Sequence, residues 1–220
     1  MKSNFFVKIN KFSWIFPFII FLLIGINVAI SQSTKNFNLQ NPVIYYNGAI
    51  FTLEKDKTGK EIIEQALRTE NGKITHLGTN EKILKLKNLK TTLVDLNGKS
   101  IFPAFVGTQI EKEMIMKQVL AEMQEIKKQG YWAKSHERLN LFLEAFRNLT
   151  IKQAILNKTE NQQGTLLPEK FANLIILDKN PLLFNPAKYN EIEVYATVFE
   201  GKFSVKWLVK SAIKNSIDHQ

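Results

Sequence analysis

Val43-Ile44-Tyr45-Tyr46-Asn47-Gly48-Ala49-Ile50-Phe51-Thr52-Leu53 sets two short apolar runs, rich in β-branched and aromatic residues, on either side of an Asn-Gly pair. Such runs favour strands, and Asn-Gly is a strong signal for a two-residue hairpin turn because both residues tolerate positive φ. The stretch predicts a hairpin at the head of a β-rich region. Working outward, Glu54 to Lys60 is a charged loop, Glu64 to Thr69 a strand, Asn71-Gly72 a turn and Lys73 to Leu77 the answering strand. Asn80 to Leu86 has helical spacing with Thr79 as its N-cap. Thr92 to Leu96 returns to strand, turns at Asn97-Gly98 and continues through Ser100-Ile101-Phe102-Pro103.

The middle changes period. Met116, Val119, Leu120, Met123 and Ile126 recur at three- and four-residue intervals, and Gly130 sits where a helix C′ residue belongs. A second helix starts near Ser135, with Leu139, Phe142, Leu143, Phe146 and Leu149 on one stripe, and Thr150 caps a short third helix through Leu156. These Met and Phe stripes read as packing faces. From Gly164 the chain is β again. Ala172-Asn173-Leu174-Ile175-Ile176-Leu177-Asp178 is a buried-strand run, and Glu191 to Phe199 with Lys202 to Leu208 forms a hairpin about Glu200-Gly201. β-rich ends around a helical middle make the fold class α+β.

Composition narrows the chemistry. The 220 residues are 45% apolar, which suits a globular core. There is no cysteine, so disulfides, thiolate zinc sites and cysteine nucleophiles are excluded. His76, His136 and His219 are the whole imidazole supply. Lys2, Lys8 and Lys11 precede a stretch without charge from Phe12 to Thr34, almost wholly apolar from Trp14 to Ile30, and Ala29-Ile30-Ser31 offers a signal-peptidase site. Residues 1–31 are therefore a signal peptide or an uncleaved membrane anchor, and the rest is exported, periplasmic or secreted, or held at a membrane through residues 12–31.

The net charge of +10 has the same lesson: three of those charges belong to the leader. The lysine-rich stretch Glu81-Lys82-Ile83-Leu84-Lys85-Leu86-Lys87-Asn88-Leu89-Lys90 has no aromatic on which a base can stack, so nucleic acid is not an expected partner. No Gly-x-Ser-x-Gly elbow, dinucleotide fingerprint or P-loop is present. Glu111/Glu113 and Glu122/Glu125 sit among Lys and Gln as solvent-facing charges. Asn148-Leu149-Thr150 and Asn157-Lys158-Thr159 are glycosylation sequons.

The two β-rich ends, in this order and spacing, resemble the amidohydrolase superfamily, in its N-substituted formamide deformylase-like branch. The resemblance runs from Val43 to Leu53, Ala66 to Ile74, Leu77 to Thr79 and Val94 to Val106, then through Gly164-Thr165-Leu166, Lys170 to Asp178, Asn180-Pro181-Leu182 and Val194 to Val205. It implies metal-dependent hydrolysis of carbon–nitrogen bonds other than peptide bonds, with a β-sandwich made by both ends beside a TIM barrel that holds the metal, such as zinc.

A TIM barrel takes about 250 residues, and only Gly107 to Gln163 separate the two blocks here. The family's first barrel strand ends in Pro-Gly-Phe-Ile-Asp followed by His-x-His; this chain reads Pro103-Ala104-Phe105-Val106-Gly107-Thr108-Gln109-Ile110-Glu111. Gln109 and Glu111 take the histidine positions and Gly107 the aspartate position. Alternate strand residues point the same way, which lets a His-x-His pair grip one metal; glutamine is a poor ligand and one glutamate is not enough.

The expected architecture is a leader over 1–31, a flexible lead over 32–42, and the N-terminal half of a sandwich over 43–107. A helical remnant follows over 108–163, then the C-terminal half of the sandwich over 164–208 and a tail over 209–220. The expected product is a truncated, catalytically inactive amidohydrolase-like protein with no cofactor. The alternative is a binding or structural module whose sandwich face is covered by a second copy or another protein.

Overall fold

The computed structural model describes residues 41–106, 111–129 and 137–203. Among the described residues, ten strands form two sheets. They are β1 (Val43–Tyr46), β2 (Ala49–Lys55), β3 (Glu61–Glu64), β4 (Ala66–Glu70), β5 (Lys73–Gly78), β6 (Thr92–Asp95), β7 (Ser100–Pro103), β8 (Leu174–Leu177), β9 (Val194–Phe199) and β10 (Lys202–Phe203). The four-stranded sheet runs β5-β4-β1-β6 and the six-stranded sheet β10-β9-β8-β7-β2-β3. Four α-helices accompany them among the described residues: α1 (Asn80–Leu84), α2 (Lys112–Lys128), α3 (Arg138–Leu149) and α4 (Ile151–Leu156). The six-stranded sheet joins β2, β3 and β7 from the front of the chain to β8–β10 from the back, so it is composite as the sequence implies. No barrel is formed among the described residues.

The first predicted hairpin is not one. β1 pairs with β4 and β6, and β2 with β3 and β7, so Asn47-Gly48 carries the chain from one sheet to the other. A two-residue hairpin turn of the favoured type needs positive φ at both central residues. Only Asn47 has it, at 57°. At Asn71-Gly72 both residues do, at 52° and 75°, and there β4 and β5 pair with Glu70 opposite Lys73. Asn97-Gly98 makes a second crossing, from β6 to β7, alongside the first. The Gly98 N–H donates to the Asn47 carbonyl at 2.8 Å, and the Ala49 N–H donates to the Lys99 carbonyl at 3.0 Å. Side by side, the two crossings set β1 parallel to β6 and β2 parallel to β7. The strand read over Glu64 to Thr69 also divides at Gln65, its ends going to different sheets.

Alternation along the six-stranded sheet separates two packing faces. Phe51, Phe102, Ile175 and Val194 face α2 and α3, whose Val119, Met123, Phe142 and Phe146 complete one buried cluster. Ile50, Ile101, Leu174, Ile176 and Val198 point the other way and are also buried, against the four-stranded sheet. On the outer side of that second sheet, α1 lays Ile83 over Ile44 and Ala66. The layers are therefore helix, sheet, sheet and helix pair.

Arg147 of α3 ties the helix pair to the sheet. It forms an ion pair with Glu61 of β3, and its Nε donates to the Leu53 carbonyl at 3.3 Å, where a bulge holds Leu53 at φ 63°.

Thr79 caps α1 as predicted, accepting from the Lys82 N–H. Thr150 does not cap α4. Its Oγ1 donates back to the Phe146 carbonyl at 2.7 Å, because the side chain is buried at the α3–α4 corner. Asn148 is held within the fold by donating to Glu122 Oε1 at 2.6 Å, whereas Asn157 is exposed. Gly130, Ser135 and residues 204–208 of the last hairpin lie outside the described residues, as do the leader and the polar lead up to residue 40.

Candidate functional site

The residues matching the family's metal-binding strand follow β7. Ala104 still bonds to its neighbour, donating its N–H to the Asn173 carbonyl at 2.8 Å, and Phe105 sits edge-on to Phe146 with ring centroids 5.9 Å apart. Gly107 and Gln109 lie outside the described residues. Glu111 is exposed at the start of α2, with extended backbone and no capping bond from its carboxylate. His76 is exposed on β5, across from Arg68 in the four-stranded sheet, while His136 and His219 fall outside the described residues. Among the described residues no three His, Asp or Glu side chains come together as a set that could hold a metal ion. Glu111 and His76 thus stand on different parts of the sandwich rather than about one centre.

Asp178 and Asn173, the polar members of the strand run that contributes β8, are structural. Asp178 Oδ1 accepts from the Glu193 N–H at 2.8 Å, and Asn173 Oδ1 accepts from the Glu200 N–H at 2.8 Å. Both hold β9 and its turn against β8.

Sequence reading passed over Lys170. Its carbonyl accepts from the Ile74 N–H, and its buried side chain runs inward so that Nζ donates to Thr165 Oγ1 at 2.6 Å. Burial pushes the amine below its ordinary 10.5, and the carboxylates of Glu54 and Glu160 partly oppose the shift. Glu160 Oε2 is itself buried with no hydrogen-bond partner among the described residues. A neutral amine is a base and a nucleophile, but such a group needs access to act. The nearby surface hollow, of about 170 Å³, is lined by Asn71, Gly72, Phe171, Glu200 and Lys202, not by Lys170. Lys170 is a structural lysine, and beside Glu169 it carries no sequence signal of its burial.

That environment fixes a pH dependence. Below its folded-state pKa the amine is charged in both states, and its desolvation counts against folding. Between that value and the ordinary 10.5 the unfolded chain binds the extra proton, so stability gains with rising pH. The Lys170→Met variant keeps the apolar stem and lacks the titration. Wild type is therefore expected to gain on it as pH climbs from 7 towards 10.5. Urea midpoints of both chains across that range check this, and a difference that does not move with pH refutes it.

Comparison with known proteins adds a partial likeness. No family model matches the chain, and no curated protein does. Solved structures do match. An uncharacterized metal-dependent hydrolase from Pyrococcus horikoshii is 23% identical over 36% of this chain and 15% of its own, with a TM-score of 0.26. A Bacillus thuringiensis protein is 33% identical over 31% of this chain and 86% of its own, at 0.26. An amidohydrolase from Thermotoga maritima is 9% identical over 73% of this chain and 99% of its own, at 0.45. This chain spans only 15% and 19% of the length of the two Pyrococcus hydrolases it matches. Other solved neighbours are an enamidase described as a member of the amidohydrolase superfamily and a putative prolidase from Bifidobacterium longum.

Proposed function

We propose that this chain is a non-catalytic sandwich module of amidohydrolase ancestry, from the N-substituted formamide deformylase-like branch, that has lost its barrel. The carrying observation is the sequence after β7: Gln109 and Glu111 stand where the family has a histidine pair, and Glu111 projects into solvent. A hydrolase that activates water with a metal needs several ligands converging on one open site. The helix pair supports the same reading. α2 and α3 already cover the sheet face that carries Phe51 and Phe102, leaving no bare face there for a barrel. Export or membrane attachment through residues 12–31 is part of the proposal.

Added Zn²⁺ tests it. A ligand in hundred-fold excess over its dissociation constant stabilises the folded state by about 2.7 kcal/mol. For a domain of this size that raises the thermal midpoint by roughly 5–10 °C. The expected shift is none, and Glu111→Ala is expected to leave the midpoint unchanged. A rise of several degrees that Glu111→Ala abolishes points instead to a rebuilt metal site.

The binding-module alternative has one observation in its favour. The helix-side face of the six-stranded sheet is filled within the chain, but apolar side chains remain exposed beside α1.

A further inference from the structure

Leu86, Leu89 and Leu93 lie exposed on the stretch from the end of α1 into β6, and Leu89 is fully open to solvent at 108% of its reference area. The turn that presents it is built. The Asn88 N–H donates to Thr91 Oγ1 at 2.9 Å, the Lys90 N–H to Asn88 Oδ1 at 2.9 Å, and the Thr91 N–H to the Asn88 carbonyl at 3.0 Å. Lys85, Lys87 and Lys90 alternate with these leucines, and Lys82 precedes them. The carboxylates between Asn80 and Leu96 are Glu81 and Asp95. Glu81 pairs with Lys85 at 2.6 Å, and Asp95 accepts from Asn47 Nδ2 and the Asn97 N–H. Lys82, Lys87 and Lys90 face solvent, with no ion pair among the described residues.

A second observation concerns where the chain enters. The Thr92 N–H donates to the Pro42 carbonyl at 2.9 Å, and Val43 sits opposite Thr92 in the parallel β1–β6 pair. Pro42, just ahead of β1, is therefore held at the corner that bears Leu89 and Lys90. Residues 31–41 reach at most about 40 Å when extended.

We propose that this corner docks on an anionic phospholipid surface: Leu89 enters the acyl boundary, Leu86 and Leu93 flank it, and the lysines meet the headgroups. An apolar tip ringed by unpaired cations suits a bilayer interface, where apolar burial and attraction to acidic lipid add together. It does not suit nucleic acid, since no aromatic lies between Asn80 and Gly98. The docking is independent of the proposed loss of catalysis.

The absence of cysteine makes the test direct, because Leu89→Cys in the full chain gives a single site for an environment-sensitive fluorophore. On vesicles of phosphatidylcholine with about 30% phosphatidylglycerol the emission is expected to shift to the blue, with a label at Lys57 as the exposed control. On phosphatidylcholine alone, or in 0.5 M salt, the shift is expected to vanish. Each lysine near an acidic surface strengthens binding roughly five-fold. Lys87→Glu with Lys90→Glu is therefore expected to weaken docking at least about 25-fold, without moving the thermal midpoint. Emission at position 89 as water-like as at position 57 on acidic vesicles overturns the proposal. So does an equal shift on neutral vesicles, a lipid-free shift that grows with protein concentration, or one produced equally by RNA.

Discussion

Replacing Phe102 by alanine is expected to cost about 4 kcal/mol, the middle of the range for emptying a buried aromatic site. Phe102 is fully buried in β7 and is the hub of the aromatic cluster. It stacks on Phe51 at 4.5 Å and on Phe146 at 4.2 Å, and meets Phe142 edge-on at 5.9 Å. Phe142 in turn packs on Tyr189, whose hydroxyl donates to the Pro181 carbonyl at 2.8 Å and whose pKa burial raises to about 12. The ring thus joins two strands of the sheet to α3 at one point, and an alanine leaves a void that fixed strands on one side do not close. Domains hold roughly 5–15 kcal/mol in all, so the loss takes a large part of the total. Chemical denaturation followed by both helix and tyrosine signals checks it. The two signals are expected to fall together at the lower midpoint, with Phe102 and Phe146 coupled by about 1 kcal/mol in a double-mutant cycle. A helix transition that separates from the sheet transition means that α2 and α3 are an appendage to the sandwich rather than part of its core.

The helix–sheet partnership was legible in pattern but not in pairing. The three- and four-residue spacing of Met116, Val119, Met123, Phe142 and Phe146 identifies the buried faces of α2 and α3, and all five are buried. Strand runs as short as Ser100–Pro103 and Leu174–Leu177 were legible because every residue in them is apolar or small and bounded by turn residues. What sequence did not reveal is which strand pairs with which. β3 falls between the loop read over Glu54 to Lys60 and the strand read from Glu64, because Glu61-Ile62-Ile63-Glu64 has acids at both ends and an edge position, where half-burial blurs the alternation. The division at Gln65 has no turn residue to announce it.

The candidate site shows the same split between local and non-local information. The change from a histidine pair to Gln109 and Glu111 is a statement about residue types and needs no coordinates. The burial of Lys170 depends on Thr165, Glu54 and Glu160 meeting across three segments, and no local pattern encodes that meeting. The exposed corner at Leu89 was half legible. Its lysines and leucines alternate in the sequence, but alternation alone suits an ordinary amphipathic face. Only the built turn and the position of Thr92 beside Pro42 separate a presented apolar tip from a packed one.

Two identical dipeptides make the sharpest test of the sheet crossings. Gly48→Ala is expected to cost about 3 kcal/mol and Gly98→Ala about 1 kcal/mol, although both follow an asparagine at the end of a strand. A Cβ on Gly48 would lie 2.4 Å from Leu96 Cδ1 and 2.8 Å from the Lys99 carbonyl oxygen. Leu96 is buried, and the Lys99 carbonyl is the acceptor for the Ala49 N–H that opens the β2–β7 pairing. The methyl therefore forces an overpacked side chain, at about 1–3 kcal/mol, and weakens a hydrogen bond that the crossing depends on. At Gly98 a Cβ meets nothing within 4 Å, and the cost is that of holding an alanine at φ 77°, about 1–2 kcal/mol at most. Were Asn47-Gly48 the hairpin its sequence suggests, an alanine at 48 would suffer mainly from a positive φ and the two variants would lose about the same. Equal losses in urea denaturation would falsify the crossing. A loss at Gly48 that Leu96→Ala relieves only in part places the remainder on the Lys99 carbonyl, because shortening the leucine removes one clash and leaves the backbone contact in place.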